Sequence, residues 1–365
     1  MDTLYRRPLP TDAVAFSSSE GRVIFAEALA AGGLDGYFPL AEQFHTQADP
    51  SFCGLGSLVV ALNALGIDPG RLWKGPWRWF AEDLLDCCVP LPEVRKRGLD
   101  IDELSCLARC NGAEVEVRRA DEQSLDAWRE TIAISSRGHA VVIAAYDRGA
   151  MAQTGGGHYS PIGGYHAARD LALVLDVARF KYPPHWVPAE QLWHAMHPID
   201  TATGRSRGWL VLRRRDRGLG LGFTLRCDGD GWQGLADRFA SVVGNVGEGS
   251  GLEDWARAIL PLTVHLELRI PHEIAHRDAL AVTRASLRAL PGYPVIVDAI
   301  GEARAEAVAL LLLALGGSLS PNLRAALGEV APAKMEDKGL AEELCNLREQ
   351  LSALAGISKE PRPIE

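Results

Sequence analysis

Asp49-Pro50-Ser51-Phe52-Cys53-Gly54 decides the reading of this chain, because Cys53 stands directly before a run with helical periodicity. From Gly54 to Leu65 the apolar residues Leu55, Leu58, Val59, Leu62 and Leu65 recur at helical spacing, and Gly66 supplies a stop. Cys53 is therefore expected at a helix N-terminus. There the unpaired backbone N–H groups and the positive end of the helix dipole favour thiolate over thiol. The competing reading is an inert core thiol, since free cysteines are commonly buried.

Two further segments bear on that choice. Gly155-Gly156-Gly157-His158-Tyr159-Ser160-Pro161-Ile162-Gly163-Gly164-Tyr165 and Leu171-Ala172-Leu173-Val174-Leu175-Asp176-Val177-Ala178 read as strands joined by the polar turn from His166 to Asp170. A hairpin centred on Ala167 sets His158 opposite Asp176, on one face, with Cβ atoms roughly 5 Å apart. A slip of one residue breaks the pair. Such a carboxylate can hold an imidazole by one nitrogen while the other reaches a thiol. The alternative is a histidine that follows a glycine turn by chance and an aspartate that ends a buried strand. With Cys53, the chain order Cys, His, acid matches papain-like cysteine transferases and proteases. The expected class is α+β: a helix carrying Cys53 packed on an antiparallel sheet carrying His158 and Asp176.

The resemblance then becomes specific. Phe44-His45-Thr46-Gln47-Ala48-Asp49-Pro50-Ser51-Phe52-Cys53-Gly54-Leu55, the stretches Leu62–Arg71 and Trp73–Phe80, Gly157-His158-Tyr159-Ser160-Pro161-Ile162-Gly163-Gly164-Tyr165 and the stretch Leu175–Pro188 resemble the phytochelatin synthases. The similarity runs from about Leu4 to Leu212 and implies a γ-glutamylcysteine dipeptidyl transpeptidase of papain-like fold acting on glutathione. It further implies that Cys53 is the nucleophile, His158 the base and then acid, and Asp176 the orienting carboxylate. By the same resemblance Gln47 is the oxyanion-hole glutamine, and Arg179 contacts substrate. On an extended strand Arg179 would point away from Asp176, but Arg179-Phe180-Lys181-Tyr182-Pro183-Pro184 suggests that the strand ends there. An arginine so placed can clamp one of the two carboxylates of glutathione; the alternative is a surface salt bridge. Two rivals keep this chemistry, a glutathione hydrolase that only releases glycine and a general papain-like peptidase. A thiol-based metal-binding protein is the rival of another class.

The implied activators are heavy-metal ions, Cd²⁺, Zn²⁺ or Cu⁺, entering as metal–glutathione thiolate substrate with no organic cofactor. Cys106 and Cys110 fall at i and i+4 of a helix closed by Asn111-Gly112, and soft thiolates so placed can share an ion. Cys87 and Cys88 are adjacent, so their side chains diverge on a helix, and a four-cysteine site requires the two segments to pack together. His272-Glu273-Ile274-Ala275-His276 fits the HExxH pattern, with Glu302 as a conceivable third ligand. Arg277 and Asp278 argue instead for a solvated helix that follows a strand ending at Pro271. The tryptophans of Trp73-Lys74-Gly75-Pro76-Trp77-Arg78-Trp79 read first as core anchors, and otherwise as the lining of a second-substrate groove with Lys74 and Arg78.

A chain of 365 residues that is 47% apolar can bury two cores, and no run approaches a membrane span. Seven cysteines do not describe a secreted disulfide framework, and the first residues lack the apolar core of a signal peptide, so a cytoplasmic enzyme is expected. A formal charge of −9 argues against nucleic acid as a partner and leaves a homodimer open. The expected organisation is a catalytic domain over residues 1–215, a linker at 216–222 within the glycine-rich run after Arg213-Arg214-Arg215, a mostly helical or α/β domain over 223–357, and a frayed tail at 358–365.

Overall fold

The computed structural model describes residues 6–69, 72–86, 89–214, 223–225, 231–247, 249–268, 274–328 and 335–358. Its strands are β1 (Val14–Ala15), β2 (Ala113–Arg119), β3 (Val141–Asp147), β4 (Gly157–His166), β5 (Leu171–Val174), β6 (His185–Pro188), β7 (Ile199–Asp200), β8 (Arg205–Ser206), β9 (Gly208–Arg214), β10 (Phe223–Leu225) and β11 (Leu266–Leu268). The helices of the first part are α1 (Ser19–Ala30), α2 (Tyr37–Gln43), α3 (Cys53–Ala64), α4 (Leu91–Arg97), α5 (Ile101–Cys110), α6 (Leu125–Ser135) and α7 (Ala189–His194). Those of the second are α8 (Gly231–Asn245), α9 (Leu252–Ile259), α10 (Ile274–Arg288), α11 (Tyr293–Ile300), α12 (Ala305–Ala314), α13 (Pro321–Leu327) and α14 (Lys338–Ser358). The protein is α+β.

A seven-stranded antiparallel sheet in the order β1-β6-β5-β4-β3-β9-β2 carries the first part. Alternation along β3 assigns its two faces. Val141, Ile143 and Ala145 join the cluster that contains Leu55, Leu58 and Leu62 of α3, whereas Val142, Ala144 and Tyr146 join a second cluster with Trp128 and Ile132 of α6. Both faces are covered, which is why β3 is apolar throughout rather than alternating. α3 itself is buried from Gly54 to Leu62 and ends where Gly66 takes a left-handed φ of 62°.

The β4–β5 hairpin forms with a different register from the one the sequence suggested. Tyr165 pairs with Ala172 and His166 with Leu171, a bulge intervenes between Ile162 and Gly164, and Ile162 pairs with Val174. β5 then stops, so Asp176 lies beyond the ladder rather than opposite His158, whose strand partner is Tyr146 on β3. The bulge sits at Gly163-Gly164, where only glycine fits. A Cβ on Gly164 would stand 2.3 Å from Leu34 Cδ2 and 2.8 Å from the Gly33 carbonyl oxygen.

The second part is mainly helical, with β10 and β11 paired antiparallel. Two α14 side chains accept from β10: Glu343 Oε2 from the Phe223 N–H at 3.2 Å and Gln350 Oε1 from the Leu225 N–H at 2.8 Å. The apolar cluster around α3 continues into this part through Phe223, Leu225 and the buried run of α12. The suggested linker at 216–222 lies outside the described residues, as does the tail from 359. Where a strand ending at Pro271 is expected, a 3₁₀ turn spans Leu260–His265, with Pro261 in its first turn, and β11 follows; residues 269–273 lie outside the described residues. No described helix is long and apolar enough to cross a membrane.

Gly164→Ala is expected to cost about 1–3 kcal/mol, because neither the Gly33 carbonyl nor the fully buried Leu34 can yield without moving backbone. Urea unfolding should show a lower midpoint at an unchanged slope; an unaltered midpoint would refute the packing argument.

Candidate active site

Cys53 opens α3 and is partly exposed, while His158 and Asp176 are buried. The Cys53 thiol faces the His158 ring and the Tyr159 backbone N–H, both of which favour its charged form. His158 Nε2 lies 2.9 Å from Asp176 Oδ1, so the ring donates from Nε2 to the carboxylate and leaves Nδ1 for the sulfur. The three residues named from sequence thus form one chain of contacts, although Asp176 reaches it from a loop.

That loop is held at two points. The Ala178 N–H donates to Asp176 Oδ1 at 2.9 Å, and the Gln47 N–H donates to the Val177 carbonyl at 3.0 Å. The segment before Cys53 therefore runs beside the segment after β5. Arg179, exposed on the turn that follows, places its guanidinium 4.9 Å from the Phe44 ring centroid.

Arg148 completes the charge balance. Its Nη2 donates to both Asp176 oxygens, at 3.0 and 2.8 Å, and the side chain is buried. Nη1 donates to Gln153 Oε1 at 2.6 Å, and Gln153 Nε2 meets His185 Nε2 at 3.1 Å. His185 Nδ1 lies 2.8 Å from the Pro183 carbonyl, which fixes Nδ1 as the donor and Nε2 as the acceptor from Gln153. Nothing local marked Arg148. It follows Asp147 at the end of a strand, where an arginine ordinarily reads as a solvated turn residue.

Burial opposes charge at each of the three central groups and is overcome at each. Burial would raise the Cys53 pKa, but the charge and hydrogen bond of His158, the Tyr159 N–H and Arg148 bring it below the ordinary thiol value. Burial would lower that of His158, but Asp176 and Cys53 raise it above the ordinary imidazole value, against an opposing pull from Arg148. Burial would raise that of Asp176, but His158, Arg148 and His185 hold it well below the usual carboxylate range. A lowered thiol beside a raised imidazole favours the thiolate–imidazolium pair, the form that attacks an acyl carbon without an external base.

Gln47 is buried two residues before Asp49, and its Nε2 donates to the carbonyls of Asp49 at 2.8 Å and Pro50 at 2.9 Å. Its amide is thus turned into the loop that leads to Cys53. Cys106 and Cys110 are buried on α5, and the Cys110 thiol donates to the Leu225 carbonyl at 3.6 Å. Cys87, Cys88, His272 and Glu273 lie outside the described residues. Among the described residues no group of three or more His, Cys, Asp or Glu side chains is placed to hold a metal ion.

The tryptophans correct one expectation. Trp73, Trp77 and Trp79 are 37%, 69% and 41% exposed and so are not core anchors. The segment closes on itself, with the Trp73 N–H donating to the Trp77 carbonyl and the Trp77 N–H to the Lys74 carbonyl around a left-handed Gly75. A turn satisfied by its own bonds has no face committed to the core.

Arg148→Met is expected to destabilise the fold by about 3–5 kcal/mol, since it removes the arginine that pairs with a fully buried carboxylate. It also removes a positive charge that lowers the Cys53 pKa, so the acid limb of iodoacetamide alkylation should move to higher pH. An unmoved limb would show that Arg148 does not act on the thiol electrostatically.

A family profile for phytochelatin synthase matches residues 4–209, more than half of the chain. Glutathione γ-glutamylcysteinyltransferase 1 of Arabidopsis thaliana is 52% identical over 238 residues, covering 65% of this chain and 49% of that protein. The wheat (Triticum aestivum) protein of the same name is 48% identical over 254 residues, 69% of this chain and 51% of its own length. The glutathione γ-glutamylcysteinyltransferase of Schizosaccharomyces pombe is 39% identical over 253 residues, 69% of this chain and 61% of its own. The chain spans about half the length of the plant relatives. Every central residue of the site falls within the matched span, and this chain belongs to the phytochelatin synthase family.

Proposed function

We propose that this chain is a glutathione γ-glutamylcysteinyltransferase that builds phytochelatins from a Cys53 acyl-enzyme on a papain-like unit spanning residues 1–215. The observation that carries the reading is the grouping of Cys53, at the start of a buried helix, with the hydrogen-bonded pair His158 and Asp176, in a chain of this family. The Cys53 thiolate attacks the cysteinyl carbonyl carbon of glutathione. The oxyanion that forms draws on the Cys53 backbone N–H and on the Gln47 amide, each donor worth roughly 3 kcal/mol in such sites. His158 then gives its proton to the glycine nitrogen, the C–N bond breaks, and glycine leaves. The γ-Glu-Cys thioester is captured by the amine of a second glutathione, whose proton returns to His158 as the thiolate departs. Asp176 keeps the ring aligned and its charge stabilised through both halves.

The second glutathione enters with its thiol bound to a heavy-metal ion, Cd²⁺, Zn²⁺ or Cu⁺, so the metal is part of the substrate and its removal as a thiolate complex serves detoxification. Arg179 beside Phe44 supplies a cation for a substrate carboxylate. Cys106 and Cys110 are core residues in this reading.

Purified protein given glutathione and Cd²⁺ is expected to yield repeated γ-Glu-Cys chains ending in glycine, as read by mass spectrometry. Cys53→Ser should abolish them, and His158→Ala should lower turnover by at least about 10³-fold. Near-normal turnover in His158→Ala would sink the mechanism. Release of γ-Glu-Cys and glycine alone would mark a hydrolase with the same residues.

A further inference from the structure

Close behind the nucleophile lies a buried carboxylate that this mechanism does not use. Glu82, in a 3₁₀ turn (Glu82–Leu84), is buried, and its Oε2 accepts from the Ala48 N–H at 2.9 Å. Its Oε1 stands 3.6 Å from His45 Nε2. Three buried polar atoms here, His45 Nε2, Gln47 Oε1 and Glu82 Oε1, lack a hydrogen-bond partner among the described residues. Glu82 therefore touches the chain on both sides of Gln47 without touching the Cys53, His158 and Asp176 series.

Gly56 in the first turn of α3 makes this contact possible. A Cβ there would lie 2.9 Å from Glu82 Oε1 and 3.2 Å from Gln47 Cβ, so carboxylate, glutamine and helix meet at a point with no room for a side chain. The segment bearing Glu82 is itself tied to the far end of α3. The Phe80 N–H donates to Asn63 Oδ1 at 3.1 Å, and Asn63 Nδ2 donates to the Phe80 carbonyl at 3.0 Å. The grip on Ala48 thus comes from an anchored element rather than from a free loop.

We propose that Glu82 is a positioning residue for Gln47: by holding the Ala48 N–H and bracing on α3 at Gly56, it fixes the glutamine amide relative to the Cys53 sulfur. The inference rests on Gln47 serving as the oxyanion donor. Both Gln47 amide hydrogens are directed at the Asp49 and Pro50 carbonyls, and one of those bonds must yield for the amide to meet an oxyanion. The Ala48 peptide, held by Glu82, keeps the residue in reach as it does so. Burial raises the Glu82 pKa to about 7, so a neutral form that still accepts from Ala48 is readily populated, and a neutral isostere can replace it.

The test compares Glu82→Ala, Glu82→Asp and Glu82→Gln in the full chain, with turnover of glutathione and Cd²⁺ read beside iodoacetamide alkylation of Cys53. Glu82→Ala and Glu82→Asp should lower kcat roughly 10- to 100-fold, because one removes the acceptor and the other withdraws it by a methylene. Alkylation should stay within about twofold of the parent, since His158, Asp176 and Arg148 are untouched. Glu82→Gln should restore most of the turnover lost in Glu82→Ala. Should Glu82→Ala fail to fold, the contrast between Glu82→Asp and Glu82→Gln decides. Unchanged kcat in Glu82→Asp, a parallel loss of turnover and alkylation, or failure of Glu82→Gln to rescue would each overturn the proposal. Parent protein that releases no glycine from glutathione would overturn the functional reading and this inference with it.

Discussion

The site depends on one buried charge. Asp176 is inaccessible to solvent, and its carboxylate is shared between His158 at 2.9 Å and Arg148 at 2.8 Å. An ionised carboxylate so placed costs several kcal/mol of lost hydration, recovered only where its partners are themselves fixed. The fixing is extensive here. Arg148 is held by Gln153, Gln153 by His185, and His185 by the Pro183 carbonyl, while the Ala178 N–H closes the carboxylate from its own loop. Each donor has an acceptor along this series, so the network meets the condition under which buried polar groups specify one arrangement.

Three separate stretches must converge for this to form. Cys53 comes from a helix start, His158 from the middle of the sheet, and Asp176 from a loop, and the link between the first and last is the Gln47 N–H on the Val177 carbonyl. The short stretch from Gln47 to Cys53 is therefore braced from two sides. The Val177 carbonyl holds its start, and Glu82 holds Ala48. A nucleophile at a helix N-terminus gains little from the dipole unless the residues before it are equally well placed, because the effect falls off within the first turn.

What could be read from sequence was what local periodicity encodes. The helix from Cys53, its stop at Gly66, the α5 helix ending at Asn111-Gly112 and the apolar strands were legible because each repeats a pattern over several residues. The His158–Asp176 contact was legible in kind but not in register. Strict alternation cannot show a bulge, and Gly163-Gly164 announces one only once Leu34 and Gly33 are seen against it. Arg148, Gln153, His185 and Glu82 were not legible at all, since each acquires its meaning from residues distant in the chain. The exposed tryptophans fail for the opposite reason: aromatic content suggested burial, and a turn closed by its own backbone bonds kept them out of the core.

Arg148 also settles how the site balances two demands that conflict. A stronger grip of Asp176 on His158 stabilises the imidazolium, yet too stable an imidazolium is a poor proton donor. Arg148 takes part of the carboxylate's charge and lowers the pKa values of both Cys53 and His158. The thiolate is thereby favoured while the ring is kept from holding its proton too firmly. Asparagine in place of Asp176 would supply alignment without charge, and aspartate without Arg148 would supply charge without restraint. The pairing of a buried aspartate with a buried arginine leaves one imidazole able both to take up a proton and to release it.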